Sequence, residues 1–81
     1  MHITYILHSD SINKFYTGST SGSVDDRLAK HNFKHKGFTS LASDWIVVFS
    51  QQFSTITEAR QFENKIKKRG ASRFLEDLKI S

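Results

Sequence analysis

The 81-residue chain contains no cysteine, no long apolar run and no segment that looks like a secretory signal. Without cysteine it can form neither disulfides nor metal sites built on thiolates. Its apolar runs fall far short of the ~18 residues that mark a membrane-spanning helix. Residues 1–4 lack the basic and then apolar order of a secretory signal. We therefore expect a cytoplasmic protein that does not enter the membrane.

The composition is that of one small globular domain, which we expect to span residues 1–81. Hydrophobic residues make up 37% of the chain, and seven phenylalanines and one tryptophan supply the apolar mass for one core. A chain of this length buries only about 60–65% of the surface that it exposes when unfolded. A large cofactor cleft is therefore not expected.

Two segments near the amino terminus have the composition of strands. Residues 3–8 alternate in side-chain character, and residues 14–20 are rich in threonine and aromatic side chains. The turn-forming residues 9–14 between them predict that the second strand folds back on the first as a hairpin. A nearly continuous apolar run at residues 45–49 is consistent with a buried third strand.

Three helices are predicted from capping signals and apolar spacing. A capping box starts at Ser23 for a helix over about residues 24–32, and another at Thr55 opens a helix that ends at Gly70. A last short helix is expected over about residues 72–78. The order β-β-α-β-α-α predicts an α+β fold, in which helices flank a small three-stranded antiparallel sheet.

Two short motifs, each with a tyrosine, lie on the first two predicted strands. They are Ile3-Thr4-Tyr5 and Tyr16-Thr17-Gly18, with ten residues between the tyrosines, and they are followed by Arg27 and later by Glu63. This arrangement resembles the GIY-YIG nuclease superfamily, in the small single-domain branch whose first motif keeps little more than its tyrosine. The resemblance covers nearly the whole chain, and it implies the same layout of sheet and helices.

The resemblance implies a set of catalytic residues, which are Tyr5, Tyr16, Arg27, His31 and Glu63. It implies that Glu63 ligates one divalent metal ion, Mg²⁺ or Mn²⁺, as a hard oxygen donor with open water positions. One phenol would accept a proton from the attacking water, and the other would orient that water or the scissile phosphate. Arg27, supported by His31, would stabilise the developing charge. The sequence does not assign the two phenols.

The functional side chains also have ordinary structural interpretations, which the sequence leaves open. Tyrosines are common in the cores of strands. Arg27 would then lie over Leu28 as an exposed side chain, and His31 would pack at the surface. Glu63 would form an ion pair with Lys67, one helical turn further on.

Gly18 and Ser19 stand at the end of the second motif. A side chain at position 18 would crowd the substrate backbone or the neighbouring strand, so glycine is expected there. Some members of the family carry a lysine directly after this motif, and this chain has Ser19 in its place. An assisting ammonium group is therefore missing at that position.

The chain carries a net charge of +4, and its densest positive cluster lies near Gly70. The cluster consists of Lys65, Lys67, Lys68, Arg69 and Arg73. These residues could contact DNA phosphates, since each neutralised phosphate releases counterions. Basic residues in a last helical turn also complement the helix dipole, and the sequence does not decide between the two interpretations.

The function predicted from the resemblance is that of a metal-dependent endonuclease that hydrolyses DNA, with a place in DNA repair or recombination. A structure-selective action on branched or single-stranded DNA is expected, and sequence-specific cleavage would need a homodimer or a partner protein. Two alternatives stay open: a nucleic-acid-binding module of the same fold that cleaves poorly or not at all, and a protein-interaction domain with core tyrosines. For the nuclease, we expect the five catalytic residues to converge on one partly exposed concave surface. A Glu63 carboxylate on the opposite side of the sheet from both phenols would contradict the nuclease function.

Overall fold

The centre of the fold is a three-stranded antiparallel sheet. The structure is a computed structural model that describes residues 2–22, 28, 32 and 41–80. Its strands are β1 (His2–Ser9), β2 (Lys14–Thr20) and β3 (Ile46–Phe53). β1 lies between the other two, because its side chains are buried on both faces from Thr4 to Leu7. The predicted hairpin of β1 and β2 is confirmed.

The turn between β1 and β2 is held by a carboxylate from outside the hairpin. The hydroxyls of Ser9 and Ser11 donate to one oxygen of Asp44 at 2.5 and 3.0 Å, and the Ser11 N–H donates to the other oxygen at 3.0 Å. These hydrogen bonds, the one from Ser9 above all, hold the pKa of Asp44 below its usual value. Asp44 thereby connects the turn to the segment that enters β3.

We expect Asp44→Asn to destabilise the protein at neutral pH and to reduce the pH dependence of its stability. Because the folded-state pKa of Asp44 is lowered, its carboxylate contributes stability above the unfolded-state pKa, and this contribution is lost as the pH falls through the folded-state pKa. Urea unfolding of wild type and variant at about pH 7 and about pH 3 measures both effects. A difference in unfolding free energy that is the same at both pH values would contradict the prediction.

Two helices follow the sheet, and they are α1 (Ile56–Arg69) and α2 (Ala71–Ile80). α1 is capped as predicted by Thr55, whose hydroxyl accepts the N–H of Glu58 at 3.2 Å. It ends as predicted at Gly70, which has a φ of 94° and donates its N–H to the carbonyl of Ile66 at 2.7 Å. Glycine suits this turn because it adopts positive φ without steric cost, and α2 begins at the next residue.

One face of the sheet is covered by the two helices. The hydroxyl of Thr4 donates to the carbonyl of Ala59 at 2.6 Å, and Ala59 is completely buried, so α1 lies directly on β1. Aromatic side chains from β3, α1 and α2 fill the adjoining space. The ring of Phe74 lies 5.2 Å from that of Phe49 and 5.6 Å from that of Phe62, in edge-to-face geometry both times. The predicted apolar stripe of α1 therefore faces the sheet.

The opposite face of the sheet carries a second core cluster. Tyr5, Leu7 and Trp45 are buried at its centre. Leu28, which has helical backbone, packs against them from outside the sheet. The sheet thus has apolar contacts on both faces. The central strand β1 contributes residues to both cores.

β3 is longer and more exposed than the sequence predicts. It runs from Ile46 to Phe53, and the side chains of Ile46 and Val48 are 52% and 39% exposed. The prediction of a buried strand over residues 45–49 is therefore wrong for these positions. Two features explain this exposure: β3 lies at an edge of the sheet, and its register with β1 shifts between Ile6 and Leu7, which leaves Val48 without a partner in the ladder.

The order of the described elements, β-β-β-α-α, agrees with the predicted α+β fold. The helix predicted over about residues 24–32 lies outside the described residues, apart from Leu28 and Asn32, which both have helical backbone. Neither α1 nor α2 is long and apolar enough to cross a membrane.

Candidate active site

The two motif tyrosines lie side by side on one face of the sheet. Tyr5 of β1 stands opposite Gly18 of β2, and Tyr16 is two residues from Gly18 on the same face. The centroids of the two phenol rings are 6.4 Å apart. Tyr5 is 1% exposed and belongs to the core cluster, whereas Tyr16 is partly exposed. Tyr5 thus has the burial of a core aromatic, and Tyr16 is the more accessible phenol.

The Tyr5 phenol occupies the space that a side chain at position 18 would fill. A Cβ atom at position 18 would stand 2.7 Å from the Tyr5 hydroxyl oxygen and 2.9 Å from Cζ of the same ring. It would also stand 3.0 Å from Cε2 of Tyr16. A side chain on Gly18 would therefore collide with both tyrosines, which is the physical reason for glycine at the end of the second motif.

We expect Gly18→Ala to destabilise the fold by about 1–3 kcal/mol, because the added methyl group displaces a buried ring. The matched control is Gly22→Ala, where the new Cβ meets only the Thr20 hydroxyl oxygen, at 3.8 Å. Unfolding by urea measures both variants. Equal stabilities of the two variants would show that the Tyr5 ring has room to move.

The carboxylate of Glu63 is held at both of its oxygens. The Ser19 hydroxyl donates to Oε1 at 2.7 Å, and the Lys67 ammonium lies 2.5 Å from Oε2. The Glu63 side chain is 17% exposed. The expected i,i+4 ion pair with Lys67 is present, and the hydrogen bond from Ser19 ties Glu63 to β2 as well.

The tyrosines and Glu63 lie on opposite faces of the sheet, so the expected convergence on one surface is wrong, and this arrangement counts against the nuclease function. Ser19 follows Gly18 in β2, and side chains of successive strand residues point to opposite faces. β2 is, however, an edge strand, and Gly18 and Ser19 are only about 3.8 Å apart along the chain. The site therefore has two halves, the tyrosine pair and Glu63, which lie on either side of the edge strand β2.

An open groove of about 710 Å³ runs along this border. Its described lining residues come from β2 and from the junction of α1 and α2, and they are Phe15, Tyr16, Thr17, Lys67, Arg69, Gly70, Ala71, Ser72 and Arg73. Tyr16 belongs to the tyrosine pair, and Lys67 is the partner of Glu63. Its described lining includes neither Tyr5 nor Glu63, so the groove borders the site through Tyr16 and Lys67.

The structure divides the five basic residues that the sequence grouped together. Three of them, Lys67, Arg69 and Arg73, line the groove. Arg69 donates two hydrogen bonds to Asp77, at 2.8 and 3.0 Å, which raise the pKa of Arg69 and lower that of Asp77. Lys65 lines a separate depression with Glu58, and Lys68 is exposed on α1.

Arg27 and His31 lie outside the described residues, but their neighbour Asn32 is described. Its side-chain amide donates to the carbonyl of Trp45 at 3.0 Å and accepts the N–H of Trp45 at 2.7 Å. This double hydrogen bond ties Asn32 to the residue that precedes β3. The sequence analysis did not identify Asn32, because its partner is a backbone group that no sequence pattern marks.

Glu63 is suited to hold one hard divalent cation. Within the described ranges, no three histidine, aspartate or glutamate side chains come together as a ligand cluster. A single fixed carboxylate with the other positions left to water is a donor set that Mg²⁺ accepts. The Ser19 hydroxyl would act as the outer partner that orients this carboxylate.

The fold and the site define a small α+β domain with a paired-tyrosine site at the edge of its sheet. A model of the GIY-YIG catalytic domain matches residues 1–76, so the chain belongs to the GIY-YIG family. This family consists of endonucleases, which act on DNA and are generally metal-dependent. Searches of curated proteins and of solved structures find no match to the chain.

Proposed function

We propose that the protein is a metal-dependent endonuclease that hydrolyses phosphodiester bonds of DNA at the groove along β2. The observation that carries this proposal is the groove itself, which is lined by a motif tyrosine, Tyr16, and by Lys67, the cation paired with Glu63. A polyanionic strand is attracted to such a groove, because three of its lining side chains are cations. A phosphate in the groove would thereby lie beside Tyr16 and Lys67.

In the proposed mechanism, water attacks the phosphorus in line with the leaving 3′ oxygen. Tyr16 accepts the proton of that water, directly or through the hydrogen-bond network, because it is the more accessible of the two phenols. Tyr5 is buried beside it and orients Tyr16 or the water. To act as the base, the phenol must first give up its own proton to solvent, and a nearby cation would stabilise the resulting phenolate; the leaving 3′ oxygen takes its proton from solvent water. Arg27, with His31 in support, stabilises the charge that develops on the phosphate.

Glu63 would hold the divalent ion, Mg²⁺ or Mn²⁺. When bound, such an ion supplies positive charge that stabilises the leaving oxygen. The chain contributes the orientation of the carboxylate, through the Ser19 hydroxyl at 2.7 Å. Ser19 thus has a role of its own in the proposed site, although it supplies no ammonium group.

Structure-selective cleavage of branched or single-stranded DNA fits the groove better than sequence-specific cleavage. Its charged groups are of the kind that contact phosphates, and phosphate contacts carry no sequence information. Reading of base edges would need a second copy of the chain or a partner protein. Branched and single-stranded DNA arise in repair and recombination, which is where we place the activity.

The proposal is tested by incubating the protein with supercoiled plasmid, single-stranded DNA and branched DNA. Each substrate is used with Mg²⁺, with Mn²⁺ and with chelator. We expect cleavage of the branched or single-stranded substrate with metal, and none in chelator. Absence of cleavage of every substrate with either metal would overturn the proposed activity.

The alternative is a nucleic-acid-binding module that does not cleave. The observation that favours it is the ion pair itself, because Lys67 already neutralises the carboxylate that the metal would need. Such a module would bind DNA equally well in metal and in chelator and would leave every substrate intact. A protein-interaction domain would instead show weak association with DNA that is insensitive to salt.

The groove cations are expected to set the salt dependence of DNA binding. Arg73→Ala removes one phosphate contact, so the slope of log affinity against log salt concentration should flatten by about 0.7–0.9. Lys65→Ala is the matched control, because it removes the same charge from a separate depression. Titrations in chelator at several salt concentrations measure both slopes. Equal slopes in the two variants would mean that the groove does not hold the DNA backbone.

A further inference from the structure

The pairing of Lys67 with Glu63 covers one particular oxygen of the carboxylate. Ser19 holds Oε1 from β2, and the Lys67 ammonium lies against Oε2 from one turn further along α1. Both carboxylate oxygens are therefore engaged, one by a neutral donor and one by a cation. The two partners differ in mobility as well, because the hydroxyl of Ser19 is short and the Lys67 side chain is long and 53% exposed.

A divalent cation bound to this carboxylate would repel the Lys67 ammonium, which lies against Oε2. Two positive groups on one carboxylate repel each other, and the repulsion doubles when one of them carries two charges. The neutral Ser19 hydroxyl suffers no such repulsion and can stay on Oε1. The Lys67 side chain can move away from the carboxylate into the groove, because Lys67 is one of the residues that line it.

The other groove cation on α1 is not equivalent to Lys67. Arg69 is held by two hydrogen bonds to Asp77 on α2, so its position does not depend on Glu63. Arg73 lines the groove from α2, and within the described ranges it forms no ion pair. Lys67 is therefore the groove cation whose partner is also the proposed metal ligand.

We propose that Lys67 is a metal-responsive positioning residue, which pairs with Glu63 while the metal is absent and moves into the groove to contact a DNA phosphate when a divalent cation binds. This inference rests on the proposed function, since it requires Glu63 to be a metal ligand. Its consequence is a coupling between metal and DNA. The ammonium competes with the metal for the carboxylate, and its release gives the groove one more cation for the phosphates. By linkage, DNA should raise the affinity for the metal as much as the metal raises the affinity for DNA.

The test is the affinity of the DNA-free protein for Mn²⁺, measured by calorimetry or by electron paramagnetic resonance. Lys67→Met keeps the apolar stem and removes the competing charge, and we expect it to bind Mn²⁺ about two- to fivefold more tightly than wild type. Lys65→Met is the matched control, because it removes one positive charge from the same helix at a separate depression. It should change the affinity much less. Lys67→Arg keeps the cation and should bind Mn²⁺ as wild type does.

Equal Mn²⁺ affinities of Lys67→Met and Lys65→Met would overturn the inference and leave the proposed nuclease untouched. Equal affinities of wild type and Glu63→Gln would show that Glu63 is no metal ligand, which overturns both. If Glu63-dependent binding is tightened in Lys67→Met while no DNA is cleaved, the inference stands and the proposed activity fails. Thermal unfolding of each variant confirms that the compared proteins are folded.

Discussion

Glu63→Gln is expected to lower the rate of DNA cleavage by at least about a hundredfold, or ~2.7 kcal/mol of barrier. The substitution keeps the size and helix propensity of the side chain and removes the charge that would hold the metal. The amide can still accept the hydrogen bond from Ser19, so the packing against β2 is preserved. The measurement is the cleavage rate of wild type and variant on one substrate with Mg²⁺.

Folding should barely respond to Glu63→Gln, because an ion pair of this kind contributes at most ~0.5 kcal/mol. Glu58→Gln is the matched control, since Glu58 lies at the other end of the same helix beside its cap. It should leave cleavage unchanged. DNA affinity in chelator should stay the same or rise slightly in Glu63→Gln, because a negative charge near the groove is gone. Equal cleavage rates of Glu63→Gln and Glu58→Gln would contradict the assignment of Glu63 as the metal ligand.

Tyr16→Phe is expected to lower the cleavage rate by about a hundredfold or more, which is the range for loss of a general base. The substitution removes only the hydroxyl and keeps the ring beside Tyr5. DNA affinity in chelator should remain close to that of wild type, since no charge is lost. Cleavage rates and binding constants on one substrate separate these effects.

Tyr5→Phe is the comparison variant for Tyr16→Phe. Both substitutions remove one phenol oxygen, but Tyr5 is buried and Tyr16 lines the groove. A proton acceptor must reach the attacking water, so the loss in Tyr16→Phe should be the larger of the two. A larger loss in Tyr5→Phe would exchange the roles of the two phenols, and wild-type rates in both would remove the tyrosines from the chemistry.

The elements of this fold that depend on local chemistry could be predicted from the sequence. α1 begins after Thr55 and ends before Gly70 because capping and positive φ are properties of a few neighbouring residues. The hairpin of β1 and β2 follows from two short strand segments and a polar turn between them. The exposure of β3 could not be predicted, because an apolar run does not show whether its strand will be central or at an edge.

The sequence could name candidate residues for the site, but it could not show how these residues are arranged in space. The two tyrosine motifs and Glu63 stand out by their order and spacing, which is also what the family match over residues 1–76 reflects. The contact of Asn32 with Trp45 and the collision of a side chain at Gly18 with both phenols depend on segments that are distant in sequence. Such contacts form only when the sheet is assembled.

The sequence by itself determined the family, the α+β class and the limits of α1, and it named the residues that we propose carry the chemistry, because each of these rests on residue type and short-range order. Only the tertiary structure decided that Glu63 lies across β2 from the tyrosines, and that Tyr16 and Lys67 line one groove along this strand. The physical reason is that strand alternation assigns each side chain to a face, whereas the packing of α1 decides what meets that face. Ser19 shows the difference. In the sequence it is notable only because some family members have a lysine at this position, whereas in the fold its hydroxyl donates a hydrogen bond to Glu63.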